Sequence, residues 1–332
     1  MEVSTESIIK TSNRPKVPKG THPIEHGDYI LYTVSINELL DSVIKWIQLR
    51  NPGAIIYGPP RLGKTWAIKY LKKYFEFKYP NQWYMIVVKA EKFKKPNEDR
   101  FFESILKSVG HLLYNNGKTS AKRDRLTNFL IDKGENVVRK QIILFIDDAQ
   151  RYTDYEYEWL MDIYNELESY GITLTTILVG QAELSFKRST YLISHKQIVG
   201  RFMIQEKRFY GLQDFEELVY LLTSYDSVTE YPQNSGWSYT NFFFPIGFAN
   251  GKRLENSATD LWNSISELRT KAGISSKTEI PMHYLISIIN YVLLKFGFNE
   301  ECVEWPTINM WKEAIIETGY LSSEVIFLER KD

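Results

Sequence analysis

The sequence predicts an α/β protein: a parallel sheet with helices on both faces, followed by a smaller, mainly helical region. Three observations carry this expectation. From about residue 27 to 210, short apolar runs alternate with amphipathic stretches, the pattern of strand–helix–strand units. One of those runs leads into a glycine-bounded turn and another ends in a pair of carboxylates. After about residue 211 the strand-like runs stop and the pattern becomes helical.

The elements follow in chain order. Residues 1 to about 26 are rich in Ser, Thr, Lys and Pro, which reads as a mobile arm, and their polar start lacks the apolar core of a signal peptide. "AIIY" (54–57) is the first strand. The next segment places Ala67, Tyr70, Leu71 and Tyr74 at i, i+3, i+4 and i+7, the spacing of an amphipathic helix. "WYMIVVK" (83–89), "IILFI" (142–146) and "TLTTILV" (173–179) are the remaining strand candidates. Thr153 and Glu156 form a capping-box pattern for the helix beyond the third run. The stretch 224–253, rich in Ser, Tyr, Asn, Phe and Gly, reads as a long connection rather than a packed helix. Its cluster "TNFFFPIGF" (240–248) suits packing against the core or a neighbouring subunit better than a base-stacking platform. Leu254, Ala258, Leu261, Ile265 and Leu268 recur at four and three residues and give the next helix a buried stripe. The expected division is an arm at 1–26, an α/β domain at 27–210 and a helical domain at 211–332.

Composition narrows the class. The chain has 332 residues, 43% apolar and 25% charged, with a formal net charge of zero, so attraction to nucleic acid or membrane has to come from local patches. The lone Cys302 excludes an intrachain disulfide framework and fits a reducing cytosol, with the thiol read as inert. The five histidines show no metal-ligand spacing, and no run is long enough to span a bilayer. A cytoplasmic protein without a membrane partner is expected.

Residues 58–65, "GPPRLGKT", fit the pattern G-x-x-x-x-G-K-[ST]. Gly58, Pro59, Pro60, Arg61, Leu62, Gly63, Lys64 and Thr65 lie between a strand and a helix, which sets backbone N–H groups and a helix N-terminus around one point. That arrangement suits a polyphosphate. Gly58 and Gly63 permit close backbone approach. Lys64 is placed to reach the β- and γ-phosphates, and the Thr65 hydroxyl to hold Mg²⁺. The run "IILFIDDAQ" (142–150) ends in Asp147 and Asp148, and parallel strands present ligands at their carboxyl ends. Asp147 is the expected Mg²⁺ partner, commonly through water, and Asp148 the group that polarises the attacking water. A plain acidic turn that caps the following helix is compatible with both. The two elements together predict ATP and Mg²⁺ as cofactors.

"GPPRLGKT", "ILFIDDAQ", "TTILVGQAEL" and "GRF" occur in an order that resembles AAA+ ATPases. More narrowly, the run from Ile146 to Leu184 looks like the TnsC/TniB regulators of Tn-type DNA transposition. The likeness covers 54 to about 210 and fades in the C-terminal third. It implies a P-loop AAA+ core followed by a helical lid, in an ATP-dependent ring or helical oligomer on double-stranded DNA. It further implies partners: a TniQ-type target-selection adaptor, or a CRISPR effector complex, on one side and a TnsA/TnsB-type transposase on the other. By matching positions, Arg201 in "VGRF" is the finger that completes a neighbour's site, with Arg188 the second candidate. Arg253 is the lid-borne sensor and Gln181 the polar sensor on the core. In AAA+ ATPases the second acidic residue is usually Glu. Asp148 is one methylene shorter, so hydrolysis is expected to be slow, with ATP serving partly to hold subunits together.

Between Lys89 and Arg125 the chain carries ten basic against five acidic residues. In the related regulators this region tracks the DNA backbone, which makes Lys92, Lys94, Lys95, Lys118, Lys122 and Arg123 the phosphate-contact candidates. A solvated loop face is the alternative for each. No zinc finger or recognition-helix pair is present, so binding is expected to be sequence-independent and salt-sensitive. Two other readings stay open: another AAA+ DNA machine of the origin-initiator or loader type, and a nucleotide-switched signalling or scaffold NTPase without DNA.

Overall fold

A computed structural model describes residues 14–297 and 303–329, so Cys302 and the first thirteen residues lie outside the described part. The chain forms two compact units, one from Ile36–Phe209 and one from the described parts of 1–35 and 210–332.

The first unit is built on β1 (Gly53–Tyr57), β2 (Tyr84–Lys89), β3 (Gln141–Asp147), β4 (Thr173–Gly180) and β5 (Gln205–Arg208). These form one sheet in the order β2-β3-β4-β1-β5, every pairing parallel. The helices are α1 (Val34–Gln48), α2 (Lys64–Lys78), α3 (Glu98–Ser108), α4 (Thr119–Glu135), α5 (Asp154–Ser169), α6 (Ala182–Ser194) and α7 (Lys196–Phe202). β1 to β2 runs across the sheet in the opposite sense to the later crossovers, so right-handed connections put α2 on one face and α3 to α7 on the other. Burial agrees. Ile142, Leu144 and Ile146 join one core cluster with Phe102, Leu126, Leu160 and Phe202, while the equally buried Ile143 and Phe145 stand outside it, as side-chain alternation along a strand requires. α1 and α2 bury Leu39, Val43, Ala67 and Leu71, also outside that cluster.

The four anticipated strands are present. β5 was not among them: "QEKR" is four polar residues at the sheet edge, with alternating half-buried and exposed side chains. An edge strand buries too little to need an apolar run. In α2 the buried stripe is Ala67, Ile68, Leu71 and Phe75. Tyr70 and Tyr74 stack on each other at 6.2 Å on the half-exposed flank. The capping box forms at α5, with the Thr153 N–H donating to Glu156 at 2.7 Å.

The second unit contains α8 (Phe215–Ser227), α9 (Ala258–Lys271), α10 (Met282–Val292), α11 (Ile308–Glu317) and α12 (Tyr320–Glu329). The stretch 224–253 is not a bare connection. It includes short helices at Tyr239–Phe243 and Pro245–Ala249 and buries Tyr239, Phe242, Phe243 and Phe244, so those four rings pack inside the unit. Aromatic area, which helical periodicity does not register, holds the stretch down. The arm ends earlier than residue 26. His22 is fully buried, its ring within 4.8 Å of those of Tyr231, Tyr239, Phe242 and Phe243, and Ile24 is buried beside it. Burial pushes the His22 imidazole down to about 4, so it stays neutral. Of the predicted stripe, Leu254, Ala258, Leu261 and Ile265 are buried and Leu268 is half-buried against the same core. Among the described residues no helix is long and apolar enough to cross a membrane.

Candidate nucleotide site

The site collects at the carboxyl ends of β1, β3 and β4. After Tyr57 the chain turns through Gly58–Gly63 and enters α2 at Lys64. A Cβ on Gly58 would sit 2.5 Å from the carbonyl oxygen of Phe209, just past β5, so only glycine lets the loop leave the sheet there. Arg61 at φ 66° and Gly63 at φ 100° are left-handed, the kind of turn that curls backbone N–H groups into an anion-binding concavity. Lys64 crosses the loop and donates to the carbonyl oxygens of Gly58 at 2.8 Å and Pro59 at 2.6 Å. Burial lowers its pKa to about 8, against the opposing pull of Asp147, Asp148 and Glu183.

The Thr65 hydroxyl donates to Oδ2 of Asp147 at 2.7 Å, so the two expected Mg²⁺ ligands touch across 82 positions of sequence. Asp147 is 9% exposed, and its Oδ1 accepts from the N–H of Asp148 at 3.0 Å. A hydroxyl and a nearly buried carboxylate fit a hard divalent cation. Asp148 has φ 57° and ψ 31°. Aspartate tolerates this left-handed region better than most residues, which gives a local reason for Asp where the resemblance implies Glu. Its carboxylate is already engaged: Arg151 lies at 3.4 Å, Lys89 at 3.9 Å, and the Gln150 amide donates at 3.3 Å.

Gln150 is the residue that sequence reasoning missed. While its Nε2 donates to Asp148, its Oε1 accepts from the N–H of Gln181 at 3.2 Å. A Cβ on Gly180 would stand 2.4 Å from that oxygen, so the end of β4 is shaped around it. Lys187 of α6 adds hydrogen bonds to the carbonyl oxygens of Gln150, at 3.3 Å, and Tyr152. The acidic turn is thus tied to the corner where Gln181 stands at the N-terminal position of α6, beside β1 in the sheet. "DDAQ" displays the glutamine, but nothing in its spacing tells which way the amide reaches.

Each of the three arginines is held by partners within its own unit. A Cβ on Gly53 would meet the Arg201 carbonyl oxygen at 2.5 Å, so Arg201 packs at the start of β1, roughly 15 Å of strand away from the phosphate loop. Its guanidinium sits 4.3 Å over the Tyr164 ring and 3.6 Å from Glu168. Arg188 is held by the Met203 carbonyl oxygen at 2.8 Å and Glu206 at 3.1 Å. Arg253 belongs to the other unit and opens the turn before α9, its guanidinium 3.6 Å over Phe248.

The basic window divides. Lys92, Lys94, Lys95 and Lys118 are exposed. Lys122 is not available to DNA: it is 3% exposed and pairs with Asp99 at 2.8 Å and Glu103 at 2.9 Å, clamping α4 to α3. A lysine placed one helical turn inward is structural, whatever the local charge count. Arg123 is taken up by Glu98 at 2.5 Å and Asp162 at 3.3 Å.

A parallel sheet with a phosphate-type loop at its carboxyl edge and a hydroxyl–carboxylate pair beside it defines a P-loop nucleotide-binding fold. Residues 50–187 match the family model described as the AAA domain. The fold is similar to that of the Aeropyrum pernix ORC2 protein in its ADPNP–ADP complexes, at 13% identity and a TM-score of 0.55, over 90% of this chain and 71% of that one. Lower scores relate it to Drosophila ORC bound to DNA, at 10% identity and a TM-score of 0.45, covering 94% of this chain and 72% of that one. Domain III of the Thermotoga maritima replication initiation protein DnaA gives 13% identity and a TM-score of 0.45, covering 92% and 98%. No curated protein matches the sequence.

Proposed function

We propose that the chain is an AAA+ ATPase that binds ATP and Mg²⁺ at Gly58–Thr65, assembles with copies of itself on double-stranded DNA, and hydrolyses ATP slowly. Within that role we read it as a regulator of DNA transposition, linking a TniQ-type adaptor to a TnsA/TnsB-type transposase. The contact of Thr65 with Asp147, beside a lysine that bridges the loop, is the observation that carries the nucleotide reading. With a nucleotide bound, Lys64 would exchange its two carbonyl partners for phosphate oxygens. Bound Mg²⁺ would supply charge neutralisation on the transferring phosphoryl group, held from Thr65 and Asp147. Asp148 has to leave Arg151 and Lys89 before it can orient a water, which supports slow turnover. The place of Arg201 at the far end of β1 supports action on a neighbouring copy rather than its own site. Arg253 and Gln181 remain its proposed sensors. The transposition role is supported by the run from Ile146 to Leu184. The second reading, an origin initiator or loader, is favoured by the fold likeness to ORC2, which extends through the helical unit.

Imaging with duplex DNA and ATP tests the assembly, and a fluorescent ATP analogue tests the site. Lys64→Ala is expected to abolish both binding and assembly, and analogue binding that survives it sinks the nucleotide reading. Arg201→Ala should spare binding while impairing turnover. Retention of a TnsB-type transposase on the assembled complexes supports the transposition role, and its absence moves the reading to an initiator.

A further inference from the structure

Two helices of the α/β unit carry opposite charge. α2 holds Lys64, Lys69, Lys72, Lys73 and Lys78 against Glu76 alone. α5 holds Asp154, Glu156, Glu158, Asp162, Glu166 and Glu168 and no cation. On α2, Lys69 and Lys73 are exposed one turn apart, and Phe77 beyond them is 88% exposed. On α5, Glu158, Asp162 and Glu166 are exposed at one-turn intervals, with Tyr155, 55% exposed, a turn before. Like charges at i, i+4 weaken a helix by about 0.2–0.5 kcal/mol per pair, so each stripe is a small cost to the folded subunit. The sheet lies between the two helices, so they cannot offset each other within one chain. Asp162 is occupied by Arg123, Glu168 by Arg201 and Lys72 by Glu76. Lys69, Lys73, Glu158 and Glu166 have no ion pair among the described residues.

We infer that α2 of one copy docks against α5 of a second copy of this chain. Complementary patches on different sides of one subunit make a heterologous, head-to-tail contact, which repeats into a ring or a filament. The inference rests on the proposed self-association and names the surfaces that perform it. α2 starts at the phosphate loop, and the C-terminal turn of α5 holds Arg201 through Glu168. Antiparallel docking of the two helices turns the Arg201 flank of one copy toward the nucleotide flank of the next. Charge steering of this kind acts mainly on association rate and fades as salt rises.

Charge reversal tests it in the full chain. One variant carries Lys69→Glu and Lys73→Glu; the other carries Glu158→Lys and Glu166→Lys, leaving the internally paired Asp162 alone. Sedimentation velocity with ATP and duplex DNA at low salt should show each variant needing at least about tenfold more protein than wild type to assemble, a shift of about 1.4 kcal/mol. Each should still bind the fluorescent ATP analogue. An equimolar mixture should assemble again, because in alternation the acidic α2 of one variant meets the basic α5 of the other, and the native basic α2 of the second meets the native acidic α5 of the first. Variants that assemble like wild type, or a mixture that does not recover, overturn the inference while leaving nucleotide-driven assembly intact. A wild-type chain that stays monomeric overturns both. Loss of DNA affinity by the α2 variant with assembly unchanged assigns the basic stripe to nucleic acid and also overturns it.

Discussion

Lys64 and Lys122 are both lysines at the start of helices in the same α/β unit, and the fold uses them in opposite ways. Lys64 lies over a turn whose backbone is set by glycines, and it bridges carbonyl oxygens that a phosphate would displace. Lys122 lies in a window chosen by counting charges, and it is spent on Asp99 and Glu103 between two helices. A motif that fixes backbone shape carries its side chains to a known place. A charge excess fixes no shape, so it cannot separate a cation that faces solvent from one that clamps a core.

The largest expected effect separates the two sites. Asp147→Asn removes the carboxylate that Thr65 touches and should lower ATP turnover roughly a hundredfold, about 3 kcal/mol, with little change in thermal stability. Lys122→Ala should do the reverse. It leaves two carboxylates without their shared cation and should destabilise the fold by about 2 kcal/mol. That lies below the cost of breaking a fully buried pair, because Asp99 and Glu103 keep 40% and 33% of their side-chain surface exposed. DNA affinity of the folded variant should not change. Denaturant unfolding and a steady-state ATPase assay check both, and a Lys122→Ala protein that loses DNA binding at full stability would break the contrast.

The same contrast governs what the sequence made legible. The parallel sheet, the phosphate loop, the acidic pair and the helical second unit were readable because each rests on an apolar run, a glycine pair or a helical period. β5 was not, since a polar edge strand is specified by its neighbour β1 rather than by its own residues. Gln150 was not, because its role comes from the approach of the acidic turn to Gly180 across the sheet. The burial of Lys122 depends on how α3 packs on α4. His22 joined the second unit through four rings that lie more than two hundred positions away.

A smaller effect sharpens the Lys64 side. With burial holding its pKa down to about 8, the amine loses its charge as pH rises through that value. Phosphate oxygens favour the charged form, so analogue affinity should be flat below pH 8 and fall by up to about tenfold per unit above it. Lys64→Arg should flatten the slope if it binds at all, since a guanidinium stays charged throughout. A wild-type affinity unchanged between pH 7 and 9.5 would mean that the loop does not gate on this ammonium.

The smallest effect tests the part of the basic window that the fold leaves exposed. Lys94 is exposed on the segment between β2 and α3 and is proposed to meet one DNA phosphate. Lys94→Ala should weaken DNA binding only a few-fold at about 0.1 M salt and reduce the slope of log affinity against log salt by about one. The loss should be the same for unrelated sequences, because a phosphate contact carries no base information. ATP binding should not move. If Lys94→Ala keeps the full salt slope while Lys118→Ala loses a unit, DNA runs along the start of α4 instead. If neither changes it, the window is a solvated face and the exposed lysines join Lys122 as residues that charge counting misassigned.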